Sequence, residues 1–442
     1  MAQMYDLLIR GGVVVNHDGT GVRDVGIANG RIVALGDLST AHASETIDAA
    51  GLHVLPGVID SQVHFREPGN AHKEDLESGS RSAVLGGVTA VFDMPNNHPP
   101  IIDEASLAAK VDAARDRMFC DFAFYAGATG ENNEELRAME QMQGCCGVKV
   151  FMGSSTGSLL VAEDDALSRV LNTITRRAAF HSEDEARLVE RRDLAERGKV
   201  ETHEVWRDAE TAMISTRRLL RLARAARKRV HVLHISTAEE MDLLQDHKDI
   251  ASVEVTPQHL TLTAPDCYAR LGSRAQMNPP LRNEVHAAGL WRGMATGIVD
   301  VIGSDHAPHT LEEKAKEYPA SPSGMPGVQT LVPVMLAHVA AGKLSLERFV
   351  DLTSHGPGRI FGLARKGRIA AGYDADFTLV DMKANRIIED DWIASRCGWT
   401  PYAGFKAPAW PKGTIIRGRR VMWEDEILGA ATGAPMRFME AL

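Results

Sequence analysis

Between residue 56 and about residue 365 the chain repeats one texture, a short apolar run followed by a longer stretch rich in Ala, Leu, Arg and Glu. Eight apolar runs of strand length can be marked: Val58 to Phe65, Val88 to Met94, Cys120 to Ala126, Gly147 to Met152, Ala178 to Ser182, Val230 to Ser236, Ser252 to Thr256 and Val299 to Ser304. The segments between them, such as Asp103 to Arg117 and Glu210 to Lys228, have helical composition. Strands alternating with helices predict β-α units and a parallel sheet, and eight such strands close a barrel.

Both ends read differently. Residues 5 to 55 alternate over short runs broken by tight turns, for example Val25 to Val33 and Gly51 to Leu55, and predict a small antiparallel sheet. After about residue 365 that texture returns in Gly372 to Val380 and Thr414 to Val421. The whole pattern predicts an α/β chain: a (β/α)₈ TIM barrel over residues 56–365, inserted in a small β-sandwich formed by residues 1–55 and 366–442.

Length and composition narrow the function classes. At 442 residues the chain exceeds one barrel of roughly 250 to 300 residues and leaves room for the second unit. With 49 Lys and Arg against 59 Asp and Glu, the net charge of −10 argues against a nucleic-acid partner. Neither a leader pattern at Met1 to Asp6 nor an apolar run of the ~20 residues that cross a bilayer is present, so a cytoplasmic location without membrane contact is expected. Five scattered cysteines (Cys120, Cys145, Cys146, Cys267, Cys397) form no C-x-x-C pair and should be reduced thiols.

The candidate chemistry is positional. His64, Lys149, His181, His234 and Asp305 each fall at or just beyond the C-terminal end of a different expected strand, the face that carries the active site in this fold. Imidazoles and carboxylates converging there suggest a zinc site with a position left open for water. On the first strand Asp60, Gln62, His64 and Arg66 should share one face, where four polar groups need partners that a metal and a substrate would supply. Lys149 interrupts an apolar run, and burying its ammonium alone would cost several kcal/mol. It is either converted to an anion by carbon dioxide or paired with an acid at the barrel mouth. Asp305 sits in Ser304-Asp305-His306-Ala307-Pro308-His309, where a carboxylate can touch metal and move a proton. The segment 308–327 is expected either to cover the site or to be a plain surface loop.

These pieces resemble the amidohydrolase superfamily, and within it the dihydroorotases. The resemblance runs over nearly the whole chain and rests on Gly57-Val58-Ile59-Asp60, His64-Phe65-Arg66-Glu67-Pro68-Gly69, Met94-Pro95-Asn96, Gly147-Val148-Lys149, Gln276 to Arg282 and Ser304 to His309. It implies that His64, an N6-carboxylated Lys149, His181, His234 and Asp305 bind one or two Zn²⁺, with Asp305 as general acid/base. It also implies that Arg66, Asn96 and His309 hold a substrate carboxylate, that Asn278 lies near the ring, and that the protein is a homo-oligomer acting on dihydroorotate or N-carbamoyl-L-aspartate. Allantoinases and hydantoinases are similar but usually lack the arginine at position 66. The departure is Gln62, which stands where the pattern has the first histidine of a His-x-His pair; an amide oxygen is a poorer zinc ligand, which leaves one or two ions open. A catalytically silent partner of aspartate transcarbamoylase is the remaining alternative.

Overall fold

The computed structural model describes residues 4–155 and 159–439. Its centre is an eight-stranded sheet made of β1 (Val58–Val63), β2 (Val88–Asp93), β3 (Asp121–Gly127), β4 (Cys145–Phe151), β5 (Ala178–His181), β6 (Val230–Val232), β7 (Ala251–Val255) and β8 (Val301–Ile302). Each strand pairs in parallel with the next. The last returns to the first: Val63 bridges His306 in parallel, the His64 N–H donates to the His306 carbonyl at 2.7 Å, and the Ser304 N–H donates to Asp60 Oδ1 at 2.9 Å. The sheet therefore closes as a barrel. Every residue of these eight strands is buried, as expected where helices cover the outer face and side chains fill the interior.

The covering helices begin where short acceptor side chains stop the backbone from continuing extended. Asp103 caps Glu104–Ala114 through the Ser106 N–H, and Asp208 caps Ala209–Ala225 through the Thr211 N–H. Each cap satisfies one of the orphan donors of a first turn, which is why an acid or hydroxyl precedes each helical run.

The expected single antiparallel sheet of residues 5 to 55 is corrected by the structure, which divides that stretch between two sheets and makes two of its pairings parallel. Met4–Arg10 lies antiparallel to Asp24–Ala28 but parallel to His42–Asp48 in a four-stranded sheet. In a seven-stranded sheet, His53–Pro56 lies parallel to Val13–Asn16 and antiparallel to Phe377–Asp381. Alternation reports which face of a strand is buried, not which neighbour it takes, so sequence pattern alone does not separate these pairings. Both chain ends thus contribute to one sandwich, whose core includes Leu7, Ile9, Ile27, Val54, Phe377 and Ile415. All five cysteines are buried and unbridged. Among the described residues no helix is long and apolar enough to cross a membrane.

Candidate active site

The C-terminal rim of the barrel gathers the polar side chains that the strand pattern placed there. From β1, Gln62 Nε2 donates to Asp305 Oδ1 at 3.0 Å, and His64, one residue past the strand, sets Nε2 3.3 Å from the same carboxylate oxygen. The other His64 nitrogen, Nδ1, lies 2.8 Å from Asn96 Oδ1. At the end of β5, His181 Nδ1 is 3.1 Å from His234 Nε2, while His181 Nε2 is 2.9 Å from Glu183 Oε2. His234 and Asp305 both adopt positive φ, 36° and 45°, a conformation uncommon outside glycine and tolerated where surrounding structure enforces it.

Lys149 points into the same space from β4. It is 1% exposed, and its ammonium makes no hydrogen bond or ion pair among the described residues and lies 4.6 Å from the Phe151 ring centroid. Burial brings its pKa down to about 7, against the pull of Asp305 and Glu254. Burial also lowers the pKa of His64, of His181 and, furthest, of His234, which keeps all three imidazoles in the neutral form that a metal requires.

His64, Lys149, His181, His234, Asp305 and Gln62 line one cavity of about 20 Å³, together with Asn278 and Ser323. That is room for about one water. A neighbouring cavity of about 550 Å³ shares Ser155, Asn278 and Ser323 with it and opens outward between Trp206 and the segment from Pro319 to Ser323. The stretch 308–327 is therefore a wall of the site rather than a detached loop. It is fastened by buried Lys314, whose Nζ donates to the carbonyls of Gln276 at 3.2 Å, Pro322 at 2.8 Å and Gly324 at 3.0 Å.

The four residues expected to hold substrate are not all in that cavity. Asn278 is, held by His203 Nε2 at 3.0 Å. Arg66 and Asn96 instead line a second small cavity, with His64 as the wall common to both. Arg66 Nε donates to the Pro308 carbonyl at 3.1 Å and its Nη2 lies 3.3 Å from His309 Nε2, so His309 joins Arg66 rather than the metal donors.

Do these residues fit a metal? Among the described residues no three His, Cys, Asp or Glu side chains converge on one point. The donors form two pairs, His181 with His234 and His64 with Asp305, and Lys149 is within electrostatic reach of all four. Two nitrogens on one tetrahedral zinc would stand roughly 3.3 Å apart, close to the 3.1 Å between His181 Nδ1 and His234 Nε2. Glu183 engages the opposite nitrogen of His181, an arrangement that fixes the ring and leaves Nδ1 facing inward. Gln62 Oε1 is buried with no hydrogen-bond partner among the described residues. The set fits a metal on condition that Lys149 supplies a donor, because neither pair suffices alone.

Sequence reasoning passed over Glu183, Arg207 and Glu254. Glu183 is buried, which alone would raise its pKa, yet Arg207 and His181 hold it well below the usual carboxylate range; Arg207 Nη2 is 2.5 Å from its Oε2. Glu183 directly follows His181-Ser182 and could have been read as that ring's partner, whereas nothing in the sequence ties Arg207 to it. Glu254, a lone acid inside apolar β7, presents the same anomaly as Lys149 in β4; burial pushes its pKa up to about 8.

Residues 53–421 match the model of the amidohydrolase family. The chain belongs to that family. Among curated relatives of this amidohydrolase, a dihydroorotase of Methanosarcina acetivorans is 37% identical over 92% of this chain and 90% of its own length. A dihydroorotase of Halobacterium salinarum is 38% identical over 94% and 97%, and an allantoinase of Deinococcus radiodurans is 32% identical over 98% of both chains. Among solved structures, an L-hydantoinase (dihydropyrimidinase) from Arthrobacter aurescens superposes with a TM-score of 0.93 at 28% identity, covering 98% of this chain and 100% of that one. The amidohydrolase is accordingly an enzyme with a TIM-barrel fold, and its family implies a metal cofactor.

Proposed function

We propose that this amidohydrolase is a dihydroorotase, catalysing the reversible hydrolysis of (S)-dihydroorotate to N-carbamoyl-L-aspartate, with the reverse reaction, ring closure to dihydroorotate, as the pyrimidine-building direction. The observation that carries the choice of substrate is Arg66. It is 7% exposed and has no carboxylate within ion-pair distance among the described residues, although burial lowers its pKa only to about 10. A desolvated guanidinium that keeps its charge and lacks an acid partner calls for an anionic ligand, and dihydroorotate carries a ring carboxylate. The dihydroorotase relatives support the same reading.

In this proposal Arg66, Asn96 and His309 bind the carboxylate, and Asn278 faces the ring. His64, Lys149, His181, His234 and Asp305 hold zinc, with Lys149 N6-carboxylated; Gln62 in place of an imidazole favours one firmly held ion over two. Bound zinc supplies Lewis-acid polarisation of the ring carbonyl and of water. Asp305 takes the proton of the attacking water and hands it to the ring nitrogen as the C–N bond breaks. Glu183, locked by Arg207, keeps His181 in one tautomer. Substrate enters through the 550 Å³ cavity, and the shared residues Ser155, Asn278 and Ser323 must move aside for it. We assign residues 56–365 as the catalytic barrel and 1–55 with 366–442 as the sandwich, and place the enzyme in the cytoplasm as a homo-oligomer.

Relatedness to an allantoinase favours one alternative, an enzyme acting on uncharged rings. Metal-replete protein should be assayed on dihydroorotate, allantoin and hydantoin, with zinc counted on the same sample. Preference for allantoin or hydantoin would overturn the assignment. Asp305→Ala should abolish turnover while unfolding at the parent temperature; parent-like turnover would remove Asp305 from its role.

A further inference from the structure

A larger cavity lies at the opposite end of the barrel, where the N-terminal start of β3 meets the sandwich. Its volume is about 810 Å³, within the usual ~300–1,000 Å³ range of small-molecule sites. Seven basic and three acidic side chains line it, in a chain whose overall charge is −10. Two of the acids are paired with cations, and the third, Asp6, holds a backbone N–H. Asp121 receives Lys366 Nζ at 2.8 Å as well as Arg417, Asp6 accepts the Asn29 N–H at 2.6 Å, and Asp374 lies 3.6 Å from Arg365 Nε and 3.8 Å from Lys366 Nζ.

What remains is a surplus of guanidinium. Arg31, Arg419 and Arg437 line the cavity, are solvent-exposed and make no ion pair among the described residues. Arg365, with its Nε 3.6 Å from Asp374 Oδ1, is outside this surplus. Asn29-Gly30 and Arg417-Gly418 on this wall are two-residue hairpin turns, joining Ala28 to Arg31 and Ile416 to Arg419, and their positive φ values belong to that turn type. Ile27, Ala364 and Met436 give the cavity a buried apolar wall.

We propose that this cavity binds a phosphorylated small molecule of nucleotide size. Arginine is the residue that forks onto phosphate oxygens, and all but one of the seven cations are arginines. Several unneutralised guanidinium groups around one open cavity match a group carrying several negative charges. The apolar wall takes the uncharged remainder of the ligand.

The test is calorimetric titration of full-length, metal-replete protein with ATP, pyrophosphate, inorganic phosphate and citrate. ATP or pyrophosphate should bind one per chain with Kd below ~100 μM at low salt. The double variant Arg31→Ala/Arg437→Ala, both exposed positions, should unfold at the parent temperature and bind about tenfold or more weakly. Arg66→Met should leave this binding unchanged, which separates it from the rim. The proposal fails if no polyphosphate binds below ~1 mM, if the double variant binds like the parent, or if citrate binds as tightly as pyrophosphate. It fails equally if the double variant dissociates an oligomer while phosphates produce no heat, since the arginines would then serve a protein contact.

Discussion

Replacing Arg66 with Met removes the charge at the proposed carboxylate clamp while leaving an unbranched chain of similar volume. A guanidinium offers five N–H donors; Arg66 directs Nε at the Pro308 carbonyl, which leaves the four on Nη1 and Nη2. If two of these meet the substrate carboxylate, each charge-assisted bond contributes roughly 1.5–3 kcal/mol and the pair roughly 3–6 kcal/mol. The pKa of about 10 keeps the group fully charged at neutral pH, so no part of this is lost to titration. At ~1.4 kcal/mol per factor of ten, kcat/KM for dihydroorotate should fall about 100- to 10,000-fold. Dihydrouracil, the same ring without the carboxylate, should change by less than about tenfold under the same assay. Stability should hold, because the exchange deletes a buried charge that has no carboxylate partner among the described residues. Dihydroorotate turnover close to the parent value, or an equal loss on both rings, would refute the clamp.

Three further outcomes follow from the geometry. Gln62→His should restore an imidazole beside His64 and Asp305, and zinc per chain, measured by elemental analysis, should rise from about one toward about two. Gly69→Ala should cost ~2 kcal/mol or more, read as a lower unfolding midpoint, because Gly69 has φ of 97° and a Cβ there would come 2.0 Å from the His98 carbonyl oxygen. His338, brought down to about 4 by burial and then by Lys343, is neutral in the fold, while the unfolded chain takes up its proton near 6.5. Its contribution is therefore complete above about pH 6.5 and declines by up to ~1.4 kcal/mol per pH unit toward about pH 4; His338→Leu should flatten urea-unfolding stability over that window, and an unchanged slope would contradict the assignment.

The barrel was legible because its signal is local and repeated. Each strand is a short apolar run, each helix opens on a cap such as Asp103 or Asp208, and the polar residue that ends a run marks the rim. Strand ends were less legible: β6 stops at Val232, so His234 sits past it on a left-handed backbone that no local pattern announces. Partners distant in sequence were not legible at all. Arg207 reaches Glu183 from another segment, and Arg66 and His309 meet across the closing seam of the barrel. The sandwich pairings failed for the same reason, since a strand's burial pattern is identical whether its neighbour runs with it or against it.

The seam between His53–Pro56 and Phe377–Asp381 joins residues more than three hundred positions apart. A ribosome must complete the entire barrel before that early strand finds its second neighbour, and until then the edge it turns away from Val13–Asn16 stays open to other chains. Fragments ending before residue 377 should consequently collect in the insoluble fraction, however well their barrel segments are formed.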